Sequence, residues 1–81
     1  MSATYPERLA QALGLTLDES EAAAVLDLAR VVAHGSERRY APLSTYLAGQ
    51  FVATRAQTGA ALDEALREAA DLAQRVLDNG A

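Results

Sequence analysis

Apolar residues recur with helical spacing along most of this chain, and that periodicity constrains the fold more than any other feature. After Asp18 they return at the i, i+3, i+4 and i+7 positions of one helix face. Similar spacing follows Pro42 and again follows Gly59, whereas the alternation that is typical of strands is absent. The sequence therefore predicts an all-α fold, a compact four-helix domain with a short first helix and three longer helices.

Local signals place the ends of the first helix. Thr4 or Tyr5 is expected to cap it, and Pro6 suits its first turn, where a missing N–H costs nothing. Gly14 is expected to follow it in the left-handed conformation. A helix this short does not persist alone, so we expect it to dock on the other helices.

The second and third helices flank a connector that carries arginines. Asp18 is the predicted cap of the second helix, which covers about residues 19–34. The connector covers residues 35–41, and the third helix begins either with Pro42 at its first position or with Ser44 as its cap. The fourth helix is expected to start beyond Gly59 and to end at Asn79-Gly80.

The large apolar residues on the helical faces are the candidate core. They are Leu9, Leu13, Val25, Leu26, Val32, Leu43, Leu47, Phe51, Leu62, Leu66, Leu72 and Val76. Gly49 lies within the third helix, where glycine costs about 1 kcal/mol relative to alanine, so we expect it to allow another helix to approach closely. The fourth helix is apolar enough to bury part of its stripe in a dimer, so both a monomer and a homodimer remain open.

Composition narrows the classes of function. The 81 residues predict a single helical domain over residues 1–81. The absence of cysteine excludes disulfides, thiolate zinc sites and a cysteine nucleophile. A net charge of −4 repels the phosphate backbone, so nucleic acid is not an expected partner. Neither a signal peptide nor a membrane-spanning run is visible, so we expect no membrane association and a cytoplasmic location.

The connector and its flanks hold the residues that could bind a ligand or a partner: His34, Arg38, Arg39, Tyr40, Ser44 and Thr45. The last turn of the second helix favours a positive charge at His34, which is either functional or simply a capping residue. The two arginines precede a helix N-terminus and could hold a carboxylate or phosphate there, assisted by the two hydroxyls. The alternative is an arginine that pairs with Glu37 at the surface.

Catalytic chemistry has little support in this sequence. A single histidine, no cysteine and no carboxylates at ligand spacing predict no metal site and no cofactor. Asp27, His34 and Ser36 do not form a triad, because nothing near them supplies an elbow or an oxyanion hole. We therefore assign no catalytic residues, and a small enzyme is the least supported class.

The run LDLARVVAHGSERRYAPLSTYLAG, with residues 29–48 as its distinctive part, resembles a family of short actinobacterial proteins classed as a domain of unknown function. Leu13-Gly14-Leu15 matches a second segment of that family. Similar domains occur alone or joined to a molybdenum cofactor guanylyltransferase. The resemblance implies a link to the biosynthesis of molybdopterin guanine dinucleotide, with such an enzyme as the protein partner.

The function expected from these observations is that of a non-catalytic accessory or interaction domain. The alternative is a domain that binds a small anion or a nucleotide through the connector between the second and third helices. The two differ in what should perturb the connector, a protein surface or a phosphate-bearing ligand.

Overall fold

The computed structural model describes residues 4–80, which form four helices: α1 (Tyr5–Ala12), α2 (Glu19–Gly35), α3 (Tyr40–Gln57) and α4 (Leu62–Asp78). That part of the chain contains no strand. The predicted all-α fold, with a short first helix and three longer ones, is confirmed. Residues 1–3 and 81, which the predicted single domain includes, lie outside the described residues.

Local hydrogen bonds define both ends of helix α1. The Thr4 hydroxyl accepts from the Glu7 N–H at 3.4 Å, and the Glu7 carboxylate accepts from the Thr4 N–H at 3.1 Å, so the two form a capping box. At the other end Gly14 has a φ of +73°, and the Leu15 N–H donates to the Ala10 carbonyl at 2.8 Å. This 6→1 bond across a left-handed glycine is a Schellman motif, and it confirms the prediction for Gly14.

Helix α3 begins earlier than expected. Its first residue is Tyr40, whose N–H donates to the Glu37 carbonyl at 2.9 Å, and neither Pro42 nor Ser44 starts or caps it. Both predicted starts were wrong because a proline is tolerated throughout the first turn. The first N–H groups of a helix have no partner inside it, so Pro42 at the third position loses no hydrogen bond.

Helices α2, α3 and α4 pack against one another in all three pairs, whereas α1 packs against none of them. The expected docking of α1 therefore does not occur within one chain. The buried core consists of Leu28, Val32, Ala48, Ala65, Leu66 and Ala69. Since half of these residues are alanines, the three helices approach closely but bury little apolar area per residue.

Much of the predicted core lies at the surface. Leu26 is 70% exposed and Leu47 is 61% exposed, while Leu28, which was not predicted, is 2% exposed. The other core candidates that are exposed are Leu9, Leu13, Leu43, Leu62, Leu72 and Val76. Val32 and Leu66 are confirmed as core residues. On α2 and α3 the prediction failed because apolar residues lie on several sides, so more than one stripe fits helical spacing. On α1 it failed because that helix contacts no other helix, and on α4 because Ala65, Leu66 and Ala69 fill the core.

Gly49 and Gly35 lie in different surroundings. A β-carbon at Gly49 would meet nothing within 4 Å, so the predicted close approach of another helix was wrong. A β-carbon at Gly35 would lie 2.9 Å from the Cδ1 of Leu77. Close packing of α2 on α4 therefore occurs at Gly35, at the C-terminal ends of both helices.

Between residues 4 and 80, one ion pair joins two different helices. The Arg55 Nε of α3 lies 3.1 Å from the Glu68 Oε1 of α4. Together with the contact between Gly35 and Leu77, it shows that α2 and α4 run in the same direction and α3 runs opposite to them. The connector between α2 and α3 thus lies at the same end of the bundle as the C-terminus of α4.

Candidate functional site

The two arginines of the connector have different surroundings. Arg39 pairs with Glu37 at 3.0 Å, and its guanidinium carbon lies 5.2 Å from the centre of the Tyr40 ring. Between residues 4 and 80, nothing forms an ion pair with Arg38. Arg38 and Arg39 are both exposed. Arg39 is therefore held by contacts within the chain, and Arg38 presents its charge to solvent.

The first turn of α3 has few free donors. The Tyr40 N–H donates to the Glu37 carbonyl at 2.9 Å, the Ala41 N–H donates to the Arg38 carbonyl at 3.2 Å, and Pro42 has no N–H. Anion binding at a helix N-terminus depends on N–H groups that point at the ligand. The turn that leads into α3 uses those groups instead.

The Ser44 and Thr45 hydroxyls also donate hydrogen bonds within α3. Ser44 donates to the Tyr40 carbonyl at 2.8 Å, and Thr45 donates to the Pro42 carbonyl at 3.0 Å. His34 lies exposed in the last turn of α2. The anion-binding hypothesis stays a prediction, and the arginines are its main remaining support.

The carboxylates with perturbed acidity belong to helix caps. Hydrogen bonds from the Ser20 hydroxyl and the Glu21 N–H hold the pKa of Asp18 below its usual value. Those from Thr4 lower the pKa of Glu7 in the same way. Neither carboxylate lies in a cleft with a second reactive group, which is the arrangement that marks an active site. Within residues 4–80, no group of histidines and carboxylates could hold a metal ion.

A groove opens between α3 and α4, beside the C-terminal half of α2. Leu43 and Leu47 line its α3 wall, and Leu72 and Val76 line its α4 wall. These four side chains are 42–61% exposed. The groove has a volume of about 850 Å³, and its floor consists of the core residues Leu28, Val32, Ala48 and Ala69. We call this feature the apolar groove.

One end of the apolar groove meets the connector. Its polar lining residues lie at that end, and they are Ser36, Glu37, Tyr40 and Ser44. Glu37 is the one charged residue among the described lining, and Arg39 neutralises it through their ion pair. Of the six candidate residues from the sequence, Tyr40 and Ser44 line the groove, whereas His34, Arg38, Arg39 and Thr45 do not.

The groove was not predicted, because its wall residues have the helical spacing of core residues. One signal could have shown it. Helix α3 carries apolar residues on nearly every side, including the exposed Leu43, Tyr46 and Leu47 as well as the buried Ala48. A helix that is apolar all round requires cover on more than one side. In this chain α2 and α4 cover α3 on one side only.

Between residues 4 and 80, no helix is long and apolar enough to cross a membrane. No curated protein and no solved structure matches the chain. A family model described as a domain of unknown function (DUF6457) matches residues 2–81. Because this match covers nearly all of the 81 residues, the chain belongs to the family of that domain of unknown function.

Proposed function

We propose that this chain is a non-catalytic interaction domain that receives an amphipathic helix of a protein partner in its apolar groove. The observation that carries the proposal is the pair of exposed apolar walls, Leu43 with Leu47 and Leu72 with Val76. Contiguous apolar surface of this kind on a small protein is typical of an interaction site. Two parallel apolar rows above an apolar floor form the usual acceptor of a helix with i and i+4 anchors.

The energetics favour a partner that covers both walls at once. Each wall residue is already partly buried, so completing its burial contributes about 1 kcal/mol, less than the roughly 1.5–3 kcal/mol of a fully exposed leucine. Four such residues must act together to offset the cost of association. A helix can reach all four, whereas a small ligand would leave part of a groove this open exposed.

The connector gives the groove a polar end. Glu37 and Tyr40 line that end, and Arg39 contacts both of them. Charges at the rim of an interface set orientation and association rate more than affinity. His34, Arg38 and Arg39 are accordingly proposed as orienting contacts beside the groove rather than as the main source of affinity.

The partner that we propose is a molybdenum cofactor guanylyltransferase, in an actinobacterial cytoplasm. The support is the resemblance of the run LDLARVVAHGSERRYAPLSTYLAG, within a chain that belongs to a family without an assigned role. In this role the chain is an accessory domain for the biosynthesis of molybdopterin guanine dinucleotide.

The alternative, an anion or nucleotide site at the connector, rests on the exposed charges of Arg38 and Arg39. It is the weaker proposal because the first N–H groups of α3 already have carbonyl partners. Titration with GTP separates the two proposals. A nucleotide site predicts amide shifts confined to residues 36–45, which Arg38→Ala combined with Arg39→Ala removes.

The experiment is a titration of isotope-labelled chain with a molybdenum cofactor guanylyltransferase, followed by NMR. We expect broadening of the amide signals of groove residues on α3 and α4, and its loss in Leu47→Glu. Leu26→Glu is the matched control, because Leu26 is at least as exposed as Leu47 but lies on α2 outside the groove. Unchanged groove signals would contradict this choice of partner. A response that Leu47→Glu leaves intact would contradict the groove itself.

A further inference from the structure

We propose that α1 of a second copy of this chain occupies the apolar groove, and that the exchange is reciprocal, so that the protein forms a two-fold dimer. The inference rests on one part of the proposed function, namely that the groove accepts an amphipathic helix. It adds the identity of a helix that the chain itself supplies, and the helix of the protein partner competes with it for the same groove.

Helix α1 has the features of a docking helix without a docking site. It is closed at one end by the capping box of Thr4 and Glu7 and at the other by Gly14. Leu9 and Leu13 follow each other at i and i+4 on one face, yet α1 has no buried residue and contacts no other helix. An eight-residue helix is unstable alone in water, so these leucines require a surface to cover them.

The dimensions of the helix and the groove agree. Eight residues of α-helix are about 12 Å long. On α4 the groove extends from Ala69 to Leu77, a rise of about 12 Å, and on α3 from Tyr40 to Phe51, a rise of about 16 Å. Leucines one turn apart on α1 therefore match the spacing of Leu72 and Val76.

The tether favours a second copy over the chain's own α1. The Schellman motif folds Leu13–Leu15 back on α1, so only residues 16–18 are free to span, and they reach about 10 Å. They join α2 at Glu19, whereas the groove extends along α2 from Leu28 to beside Gly35, about 13 to 24 Å away. The chain's own Leu13 cannot reach the connector end of the groove, and α1 contacts none of the three long helices, so the groove is left open to α1 of a second copy.

The surface area also indicates a missing partner. The accessible surface of the chain is 6166 Å², whereas a folded monomer of 8.5 kDa is expected to expose about 4,700 Å². The excess of about 1,500 Å² exceeds the roughly 800 Å² that each partner buries in an interface of standard size. The Cα radius of gyration, 13.3 Å, is likewise above the value of about 11.7 Å for a compact domain of this length. Docking of α1 on a second copy would bury much of that excess.

The first experiment measures the mass of the protein in solution by sedimentation over a wide range of concentration. We expect a dimer for the wild type and for the control Leu26→Glu. Leu9→Glu and Leu47→Glu should each weaken the dimer about a hundredfold or more, because each charge enters both contacts of a reciprocal dimer. Both positions are exposed in one chain, so circular dichroism should show that the variants stay folded.

The second experiment mixes the two defective variants. Leu9→Glu keeps an intact groove and Leu47→Glu keeps an intact α1, so a mixture should form a heterodimer through one good contact although neither variant dimerises alone. A dimer that packs groove against groove predicts the opposite, since Leu9→Glu would remain dimeric and mixing would restore nothing.

Three results would overturn the exchange: a monomeric wild type at every concentration, a Leu9→Glu protein that stays dimeric, or no heterodimer in the mixture. The proposed function is tested apart from the dimer by titrating Leu9→Glu, whose groove stays open, with the guanylyltransferase. A monomer whose groove signals still respond to the guanylyltransferase would remove the dimer and leave the partner site in place.

Discussion

Leu26 and Leu28 lie two residues apart on α2 and point to opposite environments. Leu26 is 70% exposed, whereas Leu28 is 2% exposed and belongs to the core. Leu28 packs in the cluster that contains Val32, Ala48 and Ala69, which joins α2 to both other long helices. Two residues correspond to about 200° around a helix, so only one of these leucines can face the core.

This pair makes a direct test of the fold. We expect Leu28→Ala to lower the free energy of unfolding by about 2–5 kcal/mol, because it removes a buried side chain and leaves a cavity in the core. Leu26→Ala should change it by no more than about 0.5 kcal/mol in the monomer. Urea denaturation followed by circular dichroism measures both. Similar losses for the two variants would mean that Leu26 is also buried, and hence that α2 is covered on its outer side.

A second prediction concerns Gly49, in the interior of α3. A β-carbon there meets nothing within 4 Å, and the backbone of Gly49 does not have a positive φ. Gly49→Ala should therefore raise the free energy of unfolding by about 0.5–1 kcal/mol, since alanine loses less conformational entropy in a helix. Thermal unfolding checks it, with Gly14→Ala as the contrast. Gly14 has a φ of +73°, so alanine there should destabilise the protein. A loss of stability in Gly49→Ala would show that something packs on this face of α3.

A third prediction concerns the pH dependence of the cap on α2. Hydrogen bonds from the Ser20 hydroxyl and the Glu21 N–H lower the pKa of Asp18 from its ordinary value of 3.8. A carboxylate whose pKa is depressed by folding stabilises the native state above its unfolded pKa. That stabilisation is lost as the pH falls through the folded pKa.

The corresponding measurement compares the melting temperatures of the wild type and Asp18→Ala. We expect the wild type to melt higher at neutral pH and the difference to narrow as the pH falls below about 4. Glu19→Ala is the matched control, because Glu19 is a neighbouring carboxylate that accepts none of the cap's hydrogen bonds. A difference that stays constant down to strongly acidic pH would contradict the assigned role of the Asp18 carboxylate.

The ends of the helices could be predicted from the sequence because their determinants are local. Asp18 caps α2 and Gly14 adopts the left-handed conformation, both as predicted, and Thr4, one of the two predicted caps, caps α1. Each of these residues satisfies backbone groups within three or four positions of itself, so no distant part of the chain affects the outcome. The start of α3 was missed for a related reason, since the first turn tolerates Pro42 at more than one position.

The candidate site was predictable only in part. Tyr40 and Ser44 line the end of the apolar groove, and both came from the sequence as candidates. The wall residues were not predicted as site residues, because helical spacing alone cannot distinguish Leu43 and Leu47 at an open groove from the same leucines in a core. Either position satisfies the same i, i+4 rule.

The sequence by itself therefore determined the all-α fold, the number of helices and most of their ends, through periodicity and capping that act over a few residues. The tertiary structure decided which apolar face each helix buries. Alanines such as Ala48 and Ala69 let α2, α3 and α4 approach closely, so the small core holds only two leucines, Leu28 and Leu66. That packing leaves Leu47 and Leu72 exposed on either side of a groove and leaves α1 without a partner in its own chain.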